Sequence, residues 1–156
     1  MIATMEMSER HAIEWECAQN IVRFYSRLDG VRGEEAAALF AKDGKWFREG
    51  DESAYTGREE IAHHVNTLPT RGASGFAPEL KMVFHLVNNI EVTVIAAETA
   101  EVRALTAIVS GGRAAPGEVG TAKGVSSILR TLEVHKKTDE GWKISTKRTQ
   151  RELRIG

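Results

Sequence analysis

One cysteine, three prolines and no long apolar run are the first limits that this chain of 156 residues sets on itself. A lone Cys17 forms no intramolecular disulfide and sits among helical residues, which fits a reducing compartment. No stretch approaches the roughly 20 apolar residues that a membrane-spanning helix needs. The amino-terminal segment lacks a basic start followed by an apolar core, so no secretory signal is read there, and a cytoplasmic location is expected. Charge of one sign is also lacking. With 21 basic and 22 acidic residues the net charge is −1, and no global field favours nucleic acid, an anionic membrane or acidic substrates. Aromatic residues are few, and none interleaves the basic stretch 143–154, where Ile144, Ser145, Thr146, Thr149 and Leu153 break up the cations in strand-like alternation. That pattern reads as a solvated strand face and not as a nucleic-acid site.

Metal and phosphate signatures are missing in the same way. His63 and His64 are adjacent, so on a helix they point about 100° apart, and His11 and His135 are distant with no cysteine partner. No metal ion is expected. The glycines of 111–120 lie between strands and not ahead of a helix, so they make no phosphate loop. Ser126-Ser127 has no nucleophile-elbow context.

What is present is a change of period along the chain. Residues 8–29 read as a helix capped by Ser8, with Ile13, Cys17, Ile21, Phe24 and Leu28 on one face. A neighbouring line, Trp15, Ala18, Val22, Tyr25 and Asp29, widens that face, which must be covered by something large. A second helix is expected over 33–41, stopped by the turn signal Lys42-Asp43-Gly44. Short extended pieces follow over 45–48 and 53–56. A third helix is expected over 58–68, and then a loop over 69–78 whose tip, Phe76, suggests a flap over an apolar site. Beyond residue 78 the pattern becomes strand-like, with runs over 82–96, 101–110, 123–136 and 142–153 and a clear hairpin at 138–141. Helices first and long antiparallel strands later make an α+β domain, with three amino-terminal helices on one face of a curved sheet. Residues 1–156 read as a single domain.

The residue of most chemical interest is His85, inside the apolar run 81–90. Alternation places Val83, His85, Val87 and Asn89 on one face. An inward imidazole suits a general base, and a carboxylate accepting its other N–H would fix the tautomer and stabilise the imidazolium. Asp29 ends the first helix, where the helix dipole disfavours negative charge, so it gains most if an N–H donor or a cation meets it. The plainer alternative is a core histidine bonded to a backbone carbonyl, with Asp29 merely opening the Asp29-Gly30 turn. Later strands add Arg103, Arg130, His135, Lys147 and Arg148. Alternate positions among them face inward, and which set does so stays open.

The order of elements resembles the nuclear-transport-factor-2-like superfamily, and more closely its SnoaL-like group. The resemblance rests on residues 21–30, running on through 37–46, on Tyr55-Thr56-Gly57-Arg58 at a strand-to-helix junction, and on His85-Leu86-Val87-Asn88-Asn89. Gly141-Trp142-Lys143-Ile144 matches the final hairpin, so that the likeness spans residues 14–151. It implies a cone-shaped α+β barrel with a reaction site at its mouth. It also implies that Asp29 and His85 fall on the dyad used by scytalone dehydratase and hexachlorocyclohexane dehydrochlorinase, with His85 removing a proton beside a leaving group. Trp46, Tyr55, Phe76 and Phe84 become candidate lining residues, Asn89 a polar neighbour of His85, and Tyr25 a hydroxyl for the leaving group. Lys147, with Arg148 competing, is the candidate cation of the last strand. The pattern departs where the dehydrochlorinases carry a lysine on the first helix, since Phe24 stands here. An epoxide-hydrolase reading fails for want of a second aspartate. The resemblance therefore implies a cofactor-independent dehydratase, β-elimination lyase or isomerase acting on a small hydrophobic cyclic compound. The competing expectation is a non-catalytic ligand-binding or assembly domain, such as an oxygenase small subunit. Apolar outer positions such as Leu132 and Val134 suggest a homo-oligomer, dimer or trimer.

Overall fold

A helix with one apolar stripe has to lie against something flat. In the computed structural model, which describes residues 5–68 and 77–154, α1 (Met7–Asp29) lies against a sheet. Ile13, Cys17, Ile21, Phe24 and Leu28 are all buried, each large side chain contributing about 1.5–3 kcal/mol on leaving water. The neighbouring line is only partly inward. Trp15 is 67% exposed and Val22 39% exposed, while the unexpected inward residue is Asn20, whose Nδ2 donates to the Trp142 carbonyl at 2.9 Å. The buried stripe is thus rotated toward the edge that meets the last strand. Ser8 is not a cap: the helix starts at Met7 with no side-chain cap bond, and its first turn is exposed, so water can serve its free amides.

The short elements show tertiary pairing overriding local propensity. Helix α2 (Gly33–Ala37) ends earlier than its alanine-rich sequence suggests. The Ile144 N–H donates to the Leu39 carbonyl at 2.9 Å, and the fully buried Phe40 opens β1 (Phe40–Phe47). Pairing with the last strand outweighs the few tenths of a kcal/mol per residue at stake in helix propensity. Lys42-Asp43-Gly44 is accordingly a bulge inside the strand and not a turn. Phe40 pairs with Ile144 and Lys45 with Thr146, so five steps on β1 face two on its partner. Strand β2 (Ala54–Thr56) pairs antiparallel with β1. Gly57, at φ +81°, then turns the chain directly into α3 (Gly57–Thr67). Gly33 is needed for close approach: its N–H donates to Asn66 Oδ1 at 2.9 Å, and a Cβ there would meet the Ala62 carbonyl at 2.4 Å.

The four long strands are β3 (Lys81–Ala96), β4 (Thr99–Gly112), β5 (Thr121–Thr138) and β6 (Gly141–Arg154). They form an antiparallel meander, and β1 joins β6 in parallel, giving the order β2-β1-β6-β5-β4-β3. The sheet is curved and open, and with the helices over it the arrangement is the expected α+β cone. Ala100, Val102 and Ala104 of β4 and Trp142 and Ile144 of β6 share the core with α1. The small side chains of β4 let the helix approach. No helix among the described residues is long and apolar enough to cross a membrane.

Strand β3 corrects one expectation. Asn88 pairs with Leu105 and Glu91 with Arg103, so one extra residue enters β3, and Asn89 takes it up at φ 51°. Asparagine is among the few residues that tolerate this left-handed geometry. The inward line Val83, His85, Val87 therefore resumes as Ile90, Val92 and Val94, and Asn89 is exposed instead of sharing a face with His85. The bulge keeps a strand of 16 residues apolar on its core side.

Candidate functional site

Asp29 is the last residue of α1, and both of its carboxylate oxygens are spent on one residue. Oδ1 lies 2.5 Å from His85 Nδ1, and Oδ2 accepts the His85 backbone N–H at 2.8 Å. A carboxylate accepts only, so Nδ1 carries the proton and a neutral ring has its bare lone pair on Nε2. The two side chains are 13% and 16% exposed, open enough to be reached and shielded enough to strengthen the contact. The helix dipole costs a terminal carboxylate about 0.3–1 kcal/mol, whereas each hydrogen bond to a charged group contributes about 1.5–3 kcal/mol. The bonds win. The Tyr25 ring, one helical turn before Asp29, stacks on the His85 ring at 5.1 Å between centroids and 23° between planes.

The dyad faces an open cavity of about 680 Å³ between the helices and the curved sheet. That is ample for a compound of one to three rings. Of the residues singled out from sequence, Tyr25, Asp29, Trp46, Tyr55, His85 and Lys147 all line it. Phe84 does not: neighbouring positions on a strand face opposite ways, so it lies on the outer side of β3, 48% exposed. Asn89 is excluded by the bulge, and Phe76 lies outside the described residues. Among the five cationic or histidine candidates of the later strands, His135 and Lys147 are buried, while Arg103, Arg130 and Arg148 are exposed and paired with Glu101, Glu152 and Glu52. His64, on α3, was not foreseen; it lines the cavity with its ring stacked 3.9 Å from that of Tyr55. Among the described residues no group of three His, Cys, Asp or Glu side chains is placed to hold a metal ion.

Beneath the cavity lies a charged cluster that is wholly out of water. Lys147 Nζ donates to Glu133 Oε1 at 2.6 Å and to the Tyr25 hydroxyl at 3.3 Å. His135 Nε2 donates to the other Glu133 oxygen at 2.6 Å. The Tyr25 hydroxyl also pairs with Thr131 Oγ1 at 3.0 Å. Burial by itself would raise the Glu133 carboxyl, but the Lys147 ammonium and the His135 hydrogen bond outweigh it and hold it at about 2. Burial likewise opposes the charge on Lys147, and Glu133 overcomes it, so the ammonium sits above its ordinary value. The Lys147 ammonium also lies 4.5 Å from the ring centroids of both Phe24 and Tyr25. A cation from β6 thus stands against the Phe24 ring. Buried His135 Nδ1 has no hydrogen-bond partner among the described residues.

Glu133 is the main site-region residue that sequence reasoning missed. The signal was present, because outward Leu132 and Val134 force Thr131, Glu133 and His135 to the inner face of β5 by alternation. Apolar residues outside and ionisable ones inside invert the usual pattern, and only partners on other elements make the inversion tolerable.

The profile of the SnoaL-like domain family matches residues 9–148. No curated protein sequence matches the chain. Among solved structures, it is similar to a type 2 hexachlorocyclohexane dehydrochlorinase (14% identity, TM-score 0.74, covering 96% of this chain and 92% of that one). A protein of Novosphingobium aromaticivorans provisionally named a scytalone dehydratase is similar at 16% identity and TM-score 0.73, with 96% and 91% covered. A protein of Catenulispora acidiphila in complex with S-DNPA is similar at 17% identity and TM-score 0.70, with 91% and 95% covered. At such identities these likenesses establish the fold.

The buried pair gives a test that needs no substrate. Lys147→Met alone strands a buried carboxylate and is expected to cost about 3–5 kcal/mol in urea denaturation, while Lys147→Met combined with Glu133→Leu recovers part of that loss and leaves His135 without its acceptor. Because the folded Glu133 value is depressed from 4.5 to about 2, its contribution is intact at neutral pH and fades as pH falls across that interval. A single variant as stable as the wild type would contradict this account of the cluster.

Proposed function

The chain belongs to the SnoaL-like domain family, and on that premise we propose that it is a cofactor-independent β-elimination lyase of the dehydratase type, acting on a small hydrophobic ring compound. The observation that carries this reading is the 2.5 Å contact of His85 Nδ1 with Asp29 at the wall of an open cavity. His85 Nε2 takes a proton from a substrate carbon activated toward proton loss. The electron pair of that C–H bond forms the new double bond, and hydroxide or halide departs from the adjacent carbon with its own pair. Asp29 holds the ring in the tautomer that leaves Nε2 bare and stabilises the imidazolium that forms. Tyr25 stacks on His85 and packs that ring at the cavity wall, while its hydroxyl is engaged by Lys147 and Thr131 instead of being held for the departing group. Trp46 and Tyr55, in edge contact with centroids 6.2 Å apart, supply an aromatic wall for the substrate ring.

The same reading includes self-association through the outer face of the sheet. Leu86 pairs with Ala107, Ala107 with Ile128 and Ile128 with Leu153, so an apolar row crosses four strands. Leu86 is 51% and Leu153 59% exposed. Phe84, one pair further along β3, extends the row, and a patch of this kind suits a second copy of the chain.

Two measurements test these readings. With hydroxylated and halogenated ring compounds screened for turnover, His85→Ala and Asp29→Asn are each expected to lower the rate by about two orders of magnitude or more; unchanged turnover by purified His85→Ala sinks the mechanism. In sedimentation, Leu86→Glu is expected to shift an oligomer toward monomer, and a wild type that is monomeric at all concentrations rules the association out.

A further inference from the structure

The dyad accounts for the chemistry of one wall of the cavity and leaves the charges at its margin unexplained. Strands β1 and β6 run parallel, and β3 and β5 run opposite to them. The ends of the first two and the starts of the last two therefore meet at one edge of the sheet. Each contributes a cation there: Arg48 just beyond β1, Lys81 opening β3, Lys123 near the start of β5 and Arg151 near the end of β6. All four line the cavity. The carboxylates that line it are Asp29, committed to His85, and Glu49, which holds Arg151 through two contacts of 3.1 Å. Arg48 makes no ion pair among the described residues, and its guanidinium carbon lies 4.7 Å over the Tyr55 ring. Stacked there, its planar fork is held at the cavity wall. Lys81 and Lys123 stand at the same margin. A chain with a net charge of −1 thus concentrates positive charge around one opening, where low-dielectric walls focus the field.

We propose that the ligand of this cavity is a hydrophobic ring compound carrying a carboxylate, bound with the carboxylate at the Arg48 margin and the ring against Trp46, Tyr55 and Val83. The proposal rests on the reading of the cavity as the substrate site of His85 and narrows its substrates to organic acids. Charge also sets the orientation. Asp29 and the carboxyl end of α1 repel an anion from the dyad, while the margin attracts it, so the ring presents its carbon to His85. Arginine suits this place because its fork matches a carboxylate with two parallel N–H donors.

Naphthoate and naphthamide, nearly equal in shape and different in charge, are the probes, with affinity measured by isothermal titration calorimetry on the full chain. Naphthoate is expected to bind at least about tenfold more tightly and to weaken as salt is raised, unlike naphthamide. Arg48→Gln is expected to cut naphthoate affinity about tenfold and leave naphthamide unchanged; Lys123→Gln acts in the same sense more weakly. His85→Ala is expected to keep the preference, since it leaves the margin intact. Equal binding of the two probes, or an equal loss of both in Arg48→Gln, overturns the organic-acid class while the dyad stands. If neither probe binds, the cavity is no site for such ring compounds, and the substrate reading falls with the proposal.

Discussion

One carboxylate ties the end of this protein's first helix to the strand that carries His85. Asp29 places one oxygen on the His85 ring and the other on the His85 backbone N–H, so the same group fixes where α1 ends against β3 and which nitrogen of the imidazole is bare. The helix terminus is an unfavourable place for a negative charge, and two N–H donors make it tenable. If Asp29 were absent, the ring would lose its orientation and the helix end its link to the strand. Structure and chemistry are therefore coupled at this position. A substitution here acts on both, and one that keeps the shape, such as Asn, separates them best.

Around that contact the molecule sorts its charges by depth. Lys147, Glu133 and His135 are wholly buried and satisfy one another almost completely. Replacement of such a cluster by apolar residues is often neutral for stability, so its use must be sought in what it holds in place. It holds Tyr25, which bridges the cluster and the dyad through its hydroxyl on one side and its stacked ring on the other. Above it the cavity is walled by Trp46, Tyr55 and aliphatic side chains, and at its margin four strands deliver cations. Each layer differs in polarity from the next, which is how a cavity orients an amphipathic ligand as well as admitting one.

Much of this was legible from the sequence, for reasons that particular residues make plain. The line from Ile13 to Leu28 repeats at helical period and is buried as such. Asp29 and His85 were paired by the family resemblance; the residues alone put Asp29 at the end of the inward line of the first helix and left a plain core role for His85 open. The failure with the widest reach lies in the parity of strands. One extra residue at Asn89 flips every later side chain of β3 to the opposite face, and an asparagine that tolerates left-handed geometry marks where a bulge fits without saying that one forms. Glu133 was missed although outward Leu132 and Val134 place it on the inner face, because its partner Lys147, and the Tyr25 hydroxyl that Lys147 also meets, lie on other elements. The boundary between α2 and β1 was set by pairing with β6, a contact more than a hundred residues away in the chain. Local sequence therefore revealed which residues belong to which element more reliably than which way each one points.

The central claim is that His85 presents a bare Nε2 to the cavity because Asp29 holds the proton on Nδ1. Nitrogen-resolved NMR of the histidine rings in the intact protein at neutral pH tests it directly. The account expects His85 to be the Nδ1–H tautomer, with a strongly hydrogen-bonded ring proton that disappears in Asp29→Asn. A proton resident on Nε2 in the wild type, or a tautomer unchanged by Asp29→Asn, would contradict it.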